Sequence, residues 1–270
     1  MYNASFIYTV LIASAFLALV PAMILSLRER PAPDTSFWAV IGVALAGPLA
    51  LTVFQLSGPW HTGFSFTLWL IVTVSMVLFA VVCLVTANGW RLSALLLPYL
   101  LVLSFLAVIW AHAPEHPMAG GAPPLWIVLH IFLSVAAYGL LTIASVAGLG
   151  VFLQERALKL KQRHRINRLL PSVADSEYLE FVLLVATESL LALAIVSGMG
   201  TLYFESHHVL MFDHKTVLTV IAFLLIGLLL ILRWRSGVRG RRAARLVLLA
   251  YLLLTLAYPG VKFVTDVLVG

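Results

Sequence analysis

The chain has very little cysteine: Cys83 is the single thiol among 270 residues. One cysteine cannot form an internal disulfide, a CxxC redox pair or the CxxCH attachment site of a c-type haem. Cys83 lies within a long apolar run, where cysteine behaves as a small apolar residue. We therefore expect no thiol chemistry from this chain.

Charged residues are scarce as well. Lysine, arginine, aspartate and glutamate make up 10% of the chain, hydrophobic residues make up 62%, and the mean hydropathy is +1.06. A soluble domain carries about 25% charged residues. Most of this chain is therefore expected to avoid water, and no segment is polar enough to form a separate soluble domain with its own active site.

Long apolar runs fill the sequence instead. A helix that crosses the hydrocarbon core needs about 20 apolar residues, and backbone amides in lipid need partners within the helix. Eight runs meet this requirement, at about residues 5–27, 37–56, 66–87, 92–111, 125–153, 179–204, 214–232 and 246–267. The sequence thus predicts an all-α polytopic membrane helix bundle. We expect one integral membrane domain over 1–270, with a four-helix part (1–112) followed by a second part (125–270).

Lysine and arginine occur in alternate loops. Fifteen of the 17 follow the first, third, fifth and seventh runs, whereas the loops at 57–65, 112–124 and 205–213 contain none. Basic loops face the cytoplasm, so we expect both termini outside it, in a multi-pass protein of the bacterial cytoplasmic (inner) membrane. Such clusters contact anionic membrane lipid; nucleic acid is not an expected partner, because no folded domain presents them. The basic segment 154–178 is expected to form a helix on the cytoplasmic membrane surface.

The histidines follow the opposite distribution. Seven of the eight lie in or beside the loops that lack lysine and arginine, and His164 is the exception. Imidazole binds metals and changes charge near neutral pH, so the outer face is a candidate functional surface. Ordinary loop polarity is the simpler explanation for five of them, His61, His112, His116, His207 and His208.

Two other histidines fall within apolar runs. His130 lies about one turn inside the fifth run, and His214 opens the seventh run, which crosses the membrane in the same sense. Both are therefore expected near the outer boundary of the bilayer, where an ionisable side chain indicates a functional site. The helix face that carries His130, Ser134 and Tyr138 should turn toward other helices. Either a ligand or an interhelical hydrogen bond would account for His130.

Two cations, Lys215 and Lys262, are predicted in the outer half of the membrane. Each can reach the interface by extending its side chain, or the two can bind an anionic group such as a carboxylate. Asp213 is predicted to cap the helix that begins at His214, and free amides at such a helix end favour negative charge.

Glu188 is an acidic residue about two turns into the sixth run. An acid at this depth is often a proton or ion site, although it can also stay protonated and bond to a neighbouring helix. The sequence contains no glycine-rich phosphate loop, HExxH pair or nucleophile elbow.

Two segments resemble the cytochrome c assembly family (CcsA/CcmC-like), membrane proteins that handle haem. The run LHIFLSVAAYGLLTIASVAGLGVFLQERALK (129–159) resembles the H…SYA helix of that family, and 213–263, with GVRGRRAA, resembles its C-terminal section. The resemblance covers about residues 125–270. The first four runs, including NGWRLSALLLPYL, are similar to the short eight-helix YpjD-like branch of inner-membrane proteins.

The resemblance implies haem, as haem b, held between two outward-facing histidines and an aromatic loop. His130 matches the first histidine of the family, and Asp213 and Lys215 match the aspartate and lysine of its W-D-P-K-E pattern. His214 replaces the proline of that pattern, in a position that would let it serve as a second axial ligand. Lys262 would join Lys215 in pairing with the propionates.

The aromatic loop is where this chain departs from the family. The segment LYFESHHVLMFD lacks the tryptophans of the WWD pattern and offers Tyr203, Phe204 and Phe212 instead. We therefore expect a protein that does not itself form the thioether bonds of c-type haem.

These observations favour a cytochrome c assembly-related membrane protein that binds or relays haem at the outer face of the cytoplasmic membrane. Its partners would be lipid and other assembly subunits or another membrane protein. Two alternatives are a haem-free scaffold or regulator of a partner, and an ion or small-solute transporter that uses Glu188.

Overall fold

The computed structural model describes residues 2–29, 32–57, 61–113, 116–117, 122–161, 164–208, 211 and 213–269. Its helices are α1 (Tyr2–Ser26), α2 (Thr35–Leu56), α3 (Phe64–Val85), α4 (Ser93–Ile109), α5 (Pro124–Leu160), α6 (Arg165–Leu169), α7 (Val173–Ser206), α8 (His214–Ser236), α9 (Gly240–Thr255) and α10 (Val261–Phe263). A 3-10 turn, Gly89–Leu92, precedes α4, and π-helical segments, Leu256–Gly260 and Val264–Val269, flank α10 so that the last helix is continuous. Two short strands, β1 (His61–Thr62) and β2 (His116–Pro117), pair antiparallel.

Within the described residues, eight helices are long and apolar enough to cross a membrane. This confirms the predicted all-α membrane bundle. The prediction of a surface helix over 154–178 was wrong, because α5 continues to Leu160 and α7 already begins at Val173, with the short α6 between them. Ser172 fixes the early start of α7, since its hydroxyl accepts a hydrogen bond from the Asp175 amide at 3.1 Å.

The chain groups into two compact units, and the prediction of a single membrane domain stays a prediction. The first unit comprises Met1–Pro117, Ala157–Pro171 and Phe263–Gly270, and the second comprises Met118–Arg156 and Ser172–Lys262.

Hydroxyl groups connect the helices of the first unit. The Thr52 and Thr73 hydroxyls lie 2.8 Å apart between α2 and α3, and the Ser65 hydroxyl donates to the Ala107 carbonyl of α4 at 2.8 Å. Bonds of this kind hold membrane helices together without introducing charge. Helix α3 supplies much of the core, including the fully buried Trp69.

Helix α5 forms the core of the second unit. Every residue from Val135 to Gly148 is buried, and α7, α8 and the last helix supply the contacts described below. Small residues on α5 let its neighbours approach closely: a Cβ placed on Gly148 would lie 3.5 Å from the Ala244 backbone of α9. This close packing is typical of membrane helices, whose association depends on van der Waals contact.

A buried ion pair joins α7 to the end of α8. Arg233 Nη1 lies 3.5 Å from Glu180 Oε1, with the two side chains 7% and 0% exposed. Arg233 also donates to the Glu177 carbonyl at 2.9 Å and lies 5.4 Å from the ring centroid of Phe181. Neither Glu180 oxygen has a hydrogen-bond partner among the described residues, so direct charge attraction compensates the burial of this carboxylate.

The GVRG segment between α8 and α9 depends on its glycines. Gly237 and Gly240 adopt φ of 63° and 65°, in the left-handed region that glycine favours. The Gly240 amide donates to Glu177 Oε1 at 2.7 Å, and a Cβ at this position would collide with the Glu155 carboxylate. The glycines in the part of the chain that most resembles the family therefore have a structural role.

Removing Glu180 alone is expected to destabilise the protein by roughly 3–5 kcal/mol, because Arg233 is then a buried charge without its partner. The double variant Glu180→Leu/Arg233→Met should recover most of this loss, since no uncompensated charge remains. The free energy of unfolding in detergent micelles measures both effects. Arg235→Met, at an exposed position on the same helix, is the control and should change stability by less than about 0.5 kcal/mol. A double variant as unstable as Glu180→Leu would contradict the ion-pair assignment.

Candidate functional site: a cavity in the second unit

The second unit contains a cavity of about 510 Å³, within the range of about 300–1,000 Å³ that is common for ligand sites. Helices α5, α7, α8 and the last helix form its walls. Four residues predicted as site residues from the sequence line it: His130, Asp213, Lys215 and Lys262. The structure therefore brings together a histidine, a carboxylate and two lysines from three separate parts of the sequence.

The hydrogen bonds of His130 define the state of its ring. His130 Nδ1 lies 3.0 Å from the Ser197 hydroxyl, and this hydroxyl donates its proton to the Ala194 carbonyl at 3.0 Å. The single proton of this hydroxyl can point to only one of its two neighbours, and when it points to the Ala194 carbonyl the hydroxyl accepts from the histidine and Nδ1 carries the ring proton. In a neutral ring, Nε2 then presents a lone pair. This tautomer is the one that can bind a metal through Nε2.

The His130 ring packs closely against the backbone of α7. A Cβ added at Gly198 would lie 2.9 Å from His130 Cε1, and one added at Gly200 would lie 2.6 Å from the Trp126 ring. The Trp126 indole donates to the Ser197 carbonyl at 2.9 Å. The segment 197–200 is thus shaped to receive two aromatic side chains from α5. Ser197 and Gly198 were not predicted as site residues; their only signal in the sequence is the stretch SGMG, rich in small residues, in the sixth apolar run.

Tyr138 lines the cavity, and two hydroxyl groups of the last helix hold its side chain. Its hydroxyl lies 3.2 Å from the Tyr251 hydroxyl and 3.0 Å from Thr255 Oγ1. Tyr138 was predicted on the same helix face as His130, but neither of its hydroxyl partners was predicted. Just beyond Thr255 the last helix becomes π-helical, and Ala257 and Tyr258 of this segment also line the cavity. Single-turn π segments are frequent at functional sites.

Asp213 anchors the start of α8 at the edge of the cavity. Its carboxylate accepts a hydrogen bond from the Thr216 amide at 2.8 Å, which confirms the predicted helix cap. Partial burial acts to raise the pKa of Asp213, but the bonds from Thr216 and the charges of Lys215 and His214 outweigh it and hold the pKa below its usual value.

Other residues predicted for the site lie elsewhere. His214 is exposed at the first turn of α8 and is not among the residues that line the cavity. Tyr203 and Phe204 are exposed at the end of α7, with ring centroids 6.4 Å apart, and neither lines the cavity. Phe212 lies outside the described residues. Roles for these residues in ligand binding stay predictions.

The remaining histidines are not among the residues that line the cavity wherever their side chains are described. His112, His164, His207 and His208 are exposed, and none of them lines the cavity. The side chains of His61 and His116 lie outside the described part of the structure.

Glu188 is also separate from the cavity. Its carboxylate packs against α8, where a Cβ on Gly227 would lie 2.9 Å from Glu188 Oε1. Its other oxygen is buried and has no hydrogen-bond partner among the described residues. Cys83 is a free thiol buried in α3.

Comparison with known proteins now identifies the class of this membrane protein. The family described as Cytochrome C assembly protein matches residues 60–269. A protein of Azospirillum brasilense, with the name "Uncharacterized 28.8 kDa protein in nifR3-like 5'region", is 48% identical over 262 residues, which cover 95% of this chain and 97% of that protein. No solved structure matches the chain. The chain belongs to the cytochrome c assembly protein family, which confirms the resemblance; its place in the YpjD-like branch stays a prediction.

Replacing Asp213 is expected to weaken α8, and the effect of its charge should depend on pH. Asp213→Ala should cost about 1 kcal/mol through loss of the cap. Asp213→Asn keeps a capping oxygen and removes the charge. Because the folded-state pKa is lowered, the ionised carboxylate stabilises the protein above the unfolded-state pKa and loses this effect as the pH falls through the folded-state value.

Thermal unfolding of the wild type and of Asp213→Asn between pH 7 and about pH 3 measures this contribution. At pH 7 the wild type should be slightly more stable than Asp213→Asn; the difference is small because Asp213 is exposed. This difference should shrink as the pH falls. A stability difference between the two proteins that stays constant across this pH range would show that the charge of Asp213 does not stabilise the fold.

Proposed function

We propose that this protein binds haem b in the cavity of the second unit and relays it during the assembly of c-type cytochromes. Membership of the family supports a role in cytochrome c biogenesis. The distribution of lysine and arginine supports an orientation with both termini outside the cytoplasm of a bacterium. In this orientation the His130 end of α5 and the Lys215 end of α8 face outward.

The hydrogen bond between His130 and Ser197 carries the proposal. A histidine that binds a metal almost always donates its other ring N–H to a nearby acceptor, which fixes the tautomer and the ring orientation. His130 meets this condition in the tautomer whose Nδ1–H donates to Ser197, and it lies in the wall of a cavity of ligand size. Haem iron accepts an imidazole nitrogen as an axial ligand, so His130 Nε2 is the group that would hold it.

The rest of the donor set fits haem better than a free metal ion. Among the described residues, no group of three or more histidine, cysteine, aspartate or glutamate side chains could hold a metal. Haem supplies the equatorial ligands of its iron itself, and one protein histidine can therefore be enough to bind it. Lys215 and Lys262 line the same cavity and would pair with the propionate groups, while apolar side chains from α5, α7 and α8 would contact the porphyrin.

His214 is the proposed second axial ligand, on the strength of its position, since it replaces the proline of the family pattern. It is adjacent in sequence to Asp213 and Lys215, both of which line the cavity, and its ring is exposed. To reach the iron of a haem bound near the cavity opening, the His214 ring would turn toward the cavity. Other assembly subunits are the proposed partners, since the protein would need a donor and an acceptor for haem.

No observation favours the two alternative functions to the same degree. The transporter hypothesis rests on Glu188, which packs against the backbone of α8 and does not line the cavity. The scaffold hypothesis gives no reason for His130, Lys215 and Lys262 to line one cavity. Haem binding accounts for these three side chains together.

Haem titration followed by Soret absorbance tests the proposal in detergent-purified protein. The wild type should bind haem with an axial-histidine spectrum, and His130→Ala should lose that spectrum because no other described histidine lines the cavity. Ser197→Ala should bind haem about 10–100-fold more weakly, because the ring loses the partner that orients it.

His112→Ala is the matched control, since His112 is an exposed histidine that does not line the cavity. Its haem affinity should equal that of the wild type. Equal haem affinity of the wild type and His130→Ala would contradict the proposed site. Wild-type protein that binds no haem at all would leave the scaffold as the better hypothesis.

A further inference from the structure

The first unit contains a second cavity, of about 300 Å³, at the ends of its helices. Ser26, the last residue of α1, and Ser93, the first of α4, both line it. Three arginines, Arg28, Arg91 and Arg168, share this cavity with one acid, Glu29, and with the nearly buried indole of Trp90. The lining residues therefore carry a formal charge of +2. All of these residues belong to the first unit, so the site is separate from the proposed haem cavity.

Contacts within the first unit organise these arginines. The Arg91 guanidinium lies 5.0 Å from the ring centroid of Trp90, and its Nη1 donates to the Arg168 carbonyl at 3.3 Å. Arg168 Nε lies 3.3 Å from Glu29 Oε1. Each guanidinium has five N–H donors, and the contacts above use one donor of Arg91 and one of Arg168. The Arg28 side chain has no hydrogen bond or ion pair with any described residue. Several donors therefore remain for a ligand in the cavity.

Arginine clusters with this chemistry suit phosphate. The planar guanidinium fork matches phosphate oxygens in a two-bond geometry, and basic pockets between membrane helices bind anionic lipid headgroups. The cavity lies where the membrane-length helix α1 ends and α4 begins, and the ends of such helices are expected at the level of the lipid headgroups. Large apolar side chains nearby in the sequence are exposed, including Ile24 at 51%, Leu84 at 71% and Val85 at 73%, and these offer a surface for acyl chains.

We propose that this cavity binds the phosphate of an anionic phospholipid, with Arg28, Arg91 and Arg168 as the phosphate-binding residues. Trp90 holds Arg91 in place by stacking. Glu29 orients Arg168 and leaves the total charge of the site positive. Lipid binding at this site does not depend on haem binding, because none of the phosphate-binding residues lines the proposed haem cavity.

Thermal unfolding of the full-length, delipidated protein in a neutral detergent tests this site. Added phosphatidylglycerol should raise the Tm of the wild type by several degrees, because a ligand that binds only the folded state stabilises it. Phosphatidylcholine, which has no net charge, should have a much smaller effect. Arg28→Gln/Arg91→Gln should lose most of the shift. The single variant Arg28→Gln, which breaks no contact with a described residue, should lose part of it while keeping the wild-type Tm without lipid.

The matched control is Arg235→Gln/Arg239→Gln, which removes two exposed arginines that do not line this cavity. This variant should keep the full phosphatidylglycerol shift. An equal loss of the shift in the control and in Arg28→Gln/Arg91→Gln would show general attraction to anionic lipid and overturn the site. Inorganic phosphate in place of lipid separates the sources: a shift with phosphate and none with phosphatidylglycerol would overturn the lipid assignment.

Discussion

The hydrogen bond from His130 to Ser197 determines what the second unit can do. It holds the imidazole at the cavity wall, and the absence of a Cβ at Gly198 lets the backbone of α7 approach the ring. When the Ser197 hydroxyl donates to the Ala194 carbonyl, it accepts from the ring, and a neutral imidazole then has a lone pair on Nε2. Without this bond, His130 would be one more polar side chain in a membrane helix.

The lipid environment explains how the charged residues are arranged in this unit. A charge inside a bilayer is costly unless it is paired or faces a cavity. Helix α8 shows both solutions, with Lys215 at the cavity and Arg233 paired with Glu180. The two positions are 18 residues apart, or about 27 Å along the helix axis. One end of the unit is therefore held by a buried ion pair and the tight GVRG connection, and the other end has room for a ligand.

Much of this architecture was predictable from the sequence. Hydropathy alone specified the eight helices, because each must supply its own run of apolar residues. Helix direction placed His130, Asp213, Lys215 and Lys262 at one end of the bundle, and the structure adds that they line one cavity. Partners contributed by other helices could not be predicted: Ser197 for His130, Tyr251 for Tyr138, and Glu180 for Arg233. These pairings depend on the rotation of each helix about its axis, which a pattern of apolar residues in a lipid-exposed bundle leaves open.

The most direct test of the account is anomalous diffraction at the iron absorption edge from crystals grown with haem. We predict a single iron peak in the cavity, next to the His130 imidazole. In the same crystals, the Lys215 and Lys262 side chains should approach the haem propionates. An iron peak outside this cavity, for example between exposed histidines of the loops, would contradict the account. In that case the Ser197 bond would be a structural contact between α5 and α7.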